Sequence, residues 1–418
     1  MSRRKRWIIG ILVVLFLLAG GVAAAGYVVW KQRHPGTIRG SGSTEFVTTE
    51  EPGATTRPEE EVRKVPWPTY GYDEQRSRVA PPAFQLRPPF KSIWNVNAKS
   101  LLEFPPVIAY GNLYVGTNDG HVLAVDGETG KVVWNKGFGI CTAASPAVGR
   151  GVVYQPFMDP SPCPQHDQSA PGYMIALDAQ TGDELWRFKA GVIETSPLLI
   201  DGILYFGSWD KKMYALDVKT HKVVWSFPTG GQVKGGPAYS NGLLYFASYD
   251  RKVYCVDART GKLKWSSSGN ANFYATPTVA YGRVYVGNTD GRVYAFGAQT
   301  GHLLWAKATG GFVYSSAGVY RKTVYVGSYS HRFLALDAGS GDVRWSFATE
   351  GAISGAPTIL DGIVYFSTLH GKTFGLDAQT GKKIWEFDDG KYSPVVADEQ
   401  HVYLVGYKKL YGLAPQTG

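Results

Sequence analysis

An all-β ring of eight four-stranded antiparallel blades, an eight-bladed β-propeller, is what three features of this sequence predict. One phrase recurs along the 418 residues; "AVDGETGKVVW" ending at Trp134, "CVDARTGKLKW" at Trp265 and "LDAQTGKKIW" at Trp385 are three of its copies. The phrase-ending tryptophans stand at Trp94, Trp134, Trp186, Trp225, Trp265, Trp305, Trp345 and Trp385, so all but one interval is 39 or 40 residues. That is the length of one propeller blade. Composition agrees, because 14% aromatic residues, 18% charged residues and 51 glycines suit short strands joined by tight turns.

The chain opens with Arg3, Arg4, Lys5 and Arg6, then an uncharged, largely apolar run from Trp7 to Trp30, then Lys31 and Arg33. As a helix that run spans about 36 Å, enough to cross a bilayer. Trp7, Tyr27 and Trp30 stand at its ends, where amphipathic rings prefer the headgroup zone. Basic residues outnumber those after the run, so residues 1–6 are expected in the cytoplasm and residues 7–30 as an N-terminal transmembrane signal-anchor in the cell membrane. The propeller is then extracytoplasmic. Ala23-Ala24-Ala25 leaves a cleaved signal peptide as the rival reading. Residues 1–34 hold six Lys/Arg and no acid, so of the net charge of +9 only 9 − 6 = +3 belongs to the rest. That excludes a nucleic-acid footprint. Residues 31–65 are rich in Thr, Glu, Gly and Pro without apolar periodicity, and read as a disordered tether. Residues 66–418 form the propeller.

Within a blade, "GPAYSN", "GLLYFASY", "KVYCVD" and "KLKWSS" supply the inner, second, third and outer strands, separated by hairpin turns. The last blade stops after "LYGLAPQTG" without an outer strand, while "PPFKSIW" (Pro88–Trp94) precedes the first blade. The N-terminal strand therefore completes the last blade, a velcro closure that removes the open edge. In "LDAQTGKKIW" the Asp accepts turn amide hydrogens, the Thr-Gly turn supplies a positive φ, and the Trp docks on the neighbouring blade. The phrase is structural.

A-x-D-x-x-T-G-x-x-x-W on this period resembles the tryptophan-docking motif of PQQ-like (quinoprotein-type) propellers, and "WPTYGYDEQRSR" (Trp67–Arg78) is similar to their lead-in. The resemblance covers residues 66–418. It implies one of two functions. The first is a non-catalytic binding or scaffold protein, as in BamB-like members, with a protein or glycan partner in envelope assembly. The second is a PQQ- and calcium-dependent dehydrogenase of alcohols or sugars. The sequence departs from the enzymes in having no adjacent cysteines and no C-x-x-C-H, and from BamB in having no cysteine near residue 20.

Ligands of propellers gather at the channel mouth, on the face bearing the outer-to-inner loops and the second-to-third-strand hairpins. Candidates from the first set are Glu103, Glu194, Lys234, Asn272, Tyr274, Tyr314 and Lys391. From the second come Trp209, Arg251, Asp290, Arg292 and His331. Mixed charge with aromatic rings suits a polar, planar or sugar-like ligand. No residue is singled out as catalytic on spacing alone, and no spacing argues for a metal; in the dehydrogenase alternative Glu194 or Asp290 is the base. The insertion "PFMDPSPCPQHDQSAPG" (Pro156–Gly172) rises from the same face. An oxidising compartment lets Cys141 and Cys163 pair, or they stay separate thiols; Cys255, in the alanine position of its phrase, is expected buried.

Overall fold

The computed structural model describes residues 36–40, 46–47, 57–160, 170–392 and 395–416. The expected anchor, residues 7–30, and Cys163 lie outside these. No helix among the described residues is long and apolar enough to cross a membrane.

Eight sheets surround a central channel, as the period predicts. Blade four shows the pattern, with Ala238–Ser240 innermost, then Leu243–Ala247, Lys252–Asp257 and Leu263–Ser268 outermost. Blade eight comprises Val395–Ala397, Val402–Val405 and Lys409–Pro415, and its outer strand is Phe90–Asn97, with Trp94 opposite Gly412. The velcro closure is present.

The repeated phrase sits where its residue types are needed. In blade four the register slips between Cys255 and Val256, so the outer strand bulges at Lys264 and Trp265 turns toward blade five. Trp265 Nε1 then donates to the Ala298 carbonyl of blade five at 2.9 Å. The same bond, 2.8–3.2 Å long, joins Trp94, Trp134, Trp225, Trp305 and Trp345 to the next blade. A second-strand tyrosine often shares the acceptor, as Tyr245 Oη does on Ala298 at 3.2 Å, filling both carbonyl lone pairs. Asp257 accepts from Thr260 N and Oγ1 at 2.9 and 2.8 Å, and those bonds hold its carboxyl below the usual range. Gly261 has φ +69° and would place a Cβ 2.7 Å from the Trp225 ring, so the turn glycine serves both backbone and docking. Two copies depart. Trp186 meets His221 in place of the glycine, the rings stacked at 4.7 Å. Trp385 lies at the seam and packs edge-on against Phe90 at 5.5 Å.

The stretch expected as a disordered tether carries structure where it is described. Ile38–Arg39 adds a fifth strand to blade five beside Trp305 and Ala306, and Gly40 N donates to Leu304 O at 2.9 Å. Leu304 is thereby 1% exposed, whereas Val224, at the same place in blade three, is 51% exposed. Glu59–Lys64 is a short helix with buried Val62. Apolar periodicity does not report such a strap, because an unpaired outer edge offers backbone partners to any extended segment.

The lead-in follows a course that the sequence does not announce. Trp67 pairs with Ile108 of blade one, and Pro68 O accepts from Val148 N of blade two. Glu74, Gln75, Ser77 and Arg78 carbonyls then accept from Tyr239, Val279, Val319 and Ile359, in blades four to seven. The short inner strands would otherwise show unpaired edges to the channel; the lead-in supplies backbone partners to those of blades one, two and four to seven.

Trp265→Ala is expected to cost about 3–5 kcal/mol, the range for deleting a buried large aromatic, read from the denaturation midpoint of the full chain in detergent. Gly261→Ala is expected to destabilise more than Gly242→Ala. Both glycines have positive φ, +69° and +78°, but no atom lies within 4 Å of a Cβ at Gly242. Equal midpoints would show that the indole does not select the turn glycine.

Candidate functional site

At the mouth the outer-to-inner loops place Glu194, Lys234, Tyr274, Tyr314 and Ser354 around one well, each 40 residues after the last. Glu103, Phe104 and Tyr392 complete the wall, and Tyr70 of the lead-in enters from within the channel. The well is a cavity of about 60 Å³, room for a few waters or one small head group.

Its charges are tightly organised. Glu194, 8% exposed, accepts from Tyr274 Oη at 2.6 Å and from Trp209 Nε1 at 3.0 Å, and its Oε2 lies 3.5 Å from Lys234 Nζ. The Lys234 ammonium also rests 3.9 Å from the Trp209 ring centre and 5.0 Å from that of Tyr249, a cation–π cage. Burial, then the neighbouring Glu194, pushes the Glu103 carboxyl up to about 7. Burial and the same two carboxylates hold the Tyr274 phenol well above its usual value. Tyr314 meets Tyr274 and Tyr329 edge-on, both at 5.1 Å, extending an aromatic ladder toward the rim.

Behind the wall lies Arg76, fully buried. It donates through Nε to Pro237 O at 2.9 Å, through Nη1 to Thr69 Oγ1 at 2.6 Å and to Tyr70 O, and through Nη2 to Ser196 O and Pro197 O at 3.2 and 3.1 Å. Burial, with Arg78 alongside, lowers its guanidinium to about 9, still protonated at neutral pH. Arg78 stacks 4.2 Å from the Tyr70 ring. These contacts tie the lead-in to the loops of blades two to four that carry the well.

Glu103, Glu194, Lys234, Tyr274 and Tyr314 thus line one site, with Trp209 against it. The other candidates lie elsewhere. Lys391 sits 4.3 Å from the Tyr407 ring. Asn272 O accepts from Thr289 in a rim hairpin. Arg251 and His331 are exposed positive-φ residues of their hairpins. Asp290 pairs with Arg292 at 2.6 Å and accepts from Tyr294 Oη at 2.6 Å, while Arg292 Nε donates to Gly36 O of the strap at 2.9 Å. That cluster serves the blade edge. Sequence spacing alone did not single out Tyr249 and Tyr329, although they stand one and three 40-residue periods after Trp209. Nothing local marks Tyr70 or Tyr392. Cys141 is disulfide-bonded and Cys255 is a free, buried thiol. Among the described residues of the insertion, Pro160 bridges to Ile140.

A PQQ-like repeat model described as outer membrane protein assembly factor BamB matches residues 168–233, 222–317 and 306–418, more than half of the chain. This chain belongs to the PQQ-like repeat propeller family. A second model, the β-propeller domain of glucose/ethanol/alcohol dehydrogenases, matches residues 91–193. BamB of Nitrosomonas eutropha is 24% identical over 148 residues, 35% of this chain and 33% of that protein. The 1-butanol dehydrogenase (cytochrome c) of Thauera butanivorans is 28% identical over 153 residues, 32% of this chain and 20% of that protein. The chain therefore spans a third or less of these relatives. Solved structures confirm the fold. BamB from Moraxella catarrhalis has a TM-score of 0.63 at 14% identity, covering 79% of this chain and 98% of that one. Quinohemoprotein alcohol dehydrogenase from Comamonas testosteroni has 0.70 at 16% identity, covering 87% and 84%.

A planar quinone with calcium does not fit the well as it is built. The Trp209 face is covered by Lys234, and both Glu194 oxygens already have partners. No three His, Cys, Asp or Glu among the described residues are placed to hold a metal ion, whereas calcium takes six to eight oxygen ligands.

Arg76→Ala is expected to remove the five hydrogen bonds it donates to buried acceptors, at a cost of roughly 3 kcal/mol or more. The check is a lowered denaturation midpoint together with faster proteolysis of residues 66–80. Unchanged proteolysis would show that Arg76 does not hold the lead-in.

Proposed function

We propose that this chain is a membrane-anchored, extracytoplasmic binding protein of the cell envelope that does not catalyse, and holds a protein partner on the mouth face of its propeller. The observation that carries the reading is the division of labour at the mouth. Inside, the Glu194, Lys234 and Trp209 side chains are committed to one another. At the rim, Phe312 is 52% exposed, beside Tyr314 at 6.1 Å and Tyr329 at 6.4 Å. Exposed aromatic groups next to a shallow charged recess are what protein interfaces use as anchors. The family model described as an outer membrane protein assembly factor supports a protein partner. The apolar run from Trp7 to Trp30 supports the anchor.

Calorimetry of the full chain in detergent with PQQ and calcium is expected to show no saturable heat. A saturable, calcium-dependent signal would replace this reading with the dehydrogenase. A photo-crosslinker on the Phe312 side of the mouth is expected to capture one envelope protein reproducibly, and Phe312→Ala to reduce that capture. For the anchor, the full chain is expected to stay in the membrane fraction after alkaline extraction, and a chain lacking residues 7–30 to be released. Release of the full chain would refute it.

A further inference from the structure

The well contains one charge too many of one sign. Two carboxyl groups, Glu103 and Glu194, face a single ammonium, that of Lys234, and Glu194 has taken it. Glu103 is partly buried in the wall, and after burial itself the neighbouring Glu194 raises its carboxyl. Around the remaining space stand Tyr70, Phe104, Tyr274, Tyr314 and Tyr392. An ionised carboxylate between aromatic faces attracts an organic cation, through an ion pair at one end and the ring quadrupoles along its sides.

The molecule holds such a cation next door. Lys234 Nζ lies 3.9 Å from the Trp209 ring centre, 5.0 Å from that of Tyr249 and 3.5 Å from a Glu194 oxygen. Its own side chain therefore shows how this mouth receives an ammonium. The cavity of about 60 Å³ admits a head group and excludes a whole large ligand.

We propose that the mouth well receives one ammonium or guanidinium group, the tip of a lysine or arginine side chain on the protein partner, which pairs with Glu103 between the aromatic walls. The assignment rests on the partner-binding reading and specifies what that partner must present.

Affinity follows the ionisation of Glu103. The groups facing it are Glu194, Lys234, Tyr70, Tyr274, Tyr314 and Tyr392, with Arg78 behind Tyr70 and Lys391 beside Tyr392. Tyr274, Tyr314 and Tyr392 are held above the usual phenol range, so they stay neutral. In the free protein burial and Glu194 keep the Glu103 carboxyl near 7, and a bound cation lowers it. Binding is therefore full above pH 7 and is lost as pH falls through it, about thirtyfold between pH 8.5 and pH 5.5.

The test uses the full chain in detergent and three probes: the N-acetyl methylamides of lysine, of arginine and of norleucine, the last a neutral apolar control. NMR titration is expected to show saturable binding of the two cationic probes at pH 8.5, about thirtyfold weaker at pH 5.5, and none of norleucine. Glu103→Gln is expected to abolish binding at both pH values, with its unfolding midpoint recorded alongside. Lys234→Met works in the opposite direction, since it leaves Glu194 without its cation, and is expected to bind the cationic probes several-fold more tightly. Equal binding at both pH values, binding of norleucine, or weaker binding by Lys234→Met would overturn the proposal. If the probes fail while the mouth-face crosslink still captures its partner, only the basic side chain is lost. If both fail, the partner reading falls with it.

Discussion

The ring depends on one contact, the indole N–H of six of the eight outer strands donating to a turn carbonyl of the next blade. A blade alone has two apolar faces and cannot bury both. The docked indole sets the angle at which the neighbour covers one of them, and the contact must be repeated for the circle to close. The requirement explains the rest of the phrase. A bulge swings the tryptophan outward, a glycine gives its ring a place to lie, and an aspartate pins the turn that offers the carbonyl. At the seam, where one blade takes strands from both ends of the chain, Phe90 packs against Trp385.

Closing the ring creates a second demand. Short inner strands face the channel with unpaired backbone, and the lead-in from Trp67 to Ala80 answers it by passing from blade to blade. Arg76 spreads its donors over loops of blades two to four. One consequence is chemical. With the lead-in across the channel, the mouth becomes a small well in which Glu194 is buried and Glu103 and Lys234 are partly buried. Removal from water strengthens each charge interaction and raises the cost of an unpaired one. Glu103 consequently titrates near neutrality.

The family hosts both envelope-assembly proteins and dehydrogenases on the same ring. That is expected when architecture comes from a phrase on the blade edges and chemistry from loops at the mouth, two sets of residues that vary independently. In this chain the loop residues meet as a caged lysine beside an unpaired carboxyl.

Much of this was legible beforehand. Period and phrase specify blade number, strand order and the closing strand, because each is a local or next-neighbour property repeated along the chain. The same period places Glu194, Lys234, Tyr274 and Tyr314 on one face. It does not bring Glu103 beside Glu194, since they belong to loops of different blades that meet only once the ring has curved. Nor does it reveal Tyr70 within the channel or Ile38 on the edge of blade five, because both segments bind through backbone hydrogen bonds that leave no side-chain pattern. The sequence by itself determined the ring, through side chains that every blade must repeat. The tertiary structure decided the well, through contacts that occur only once.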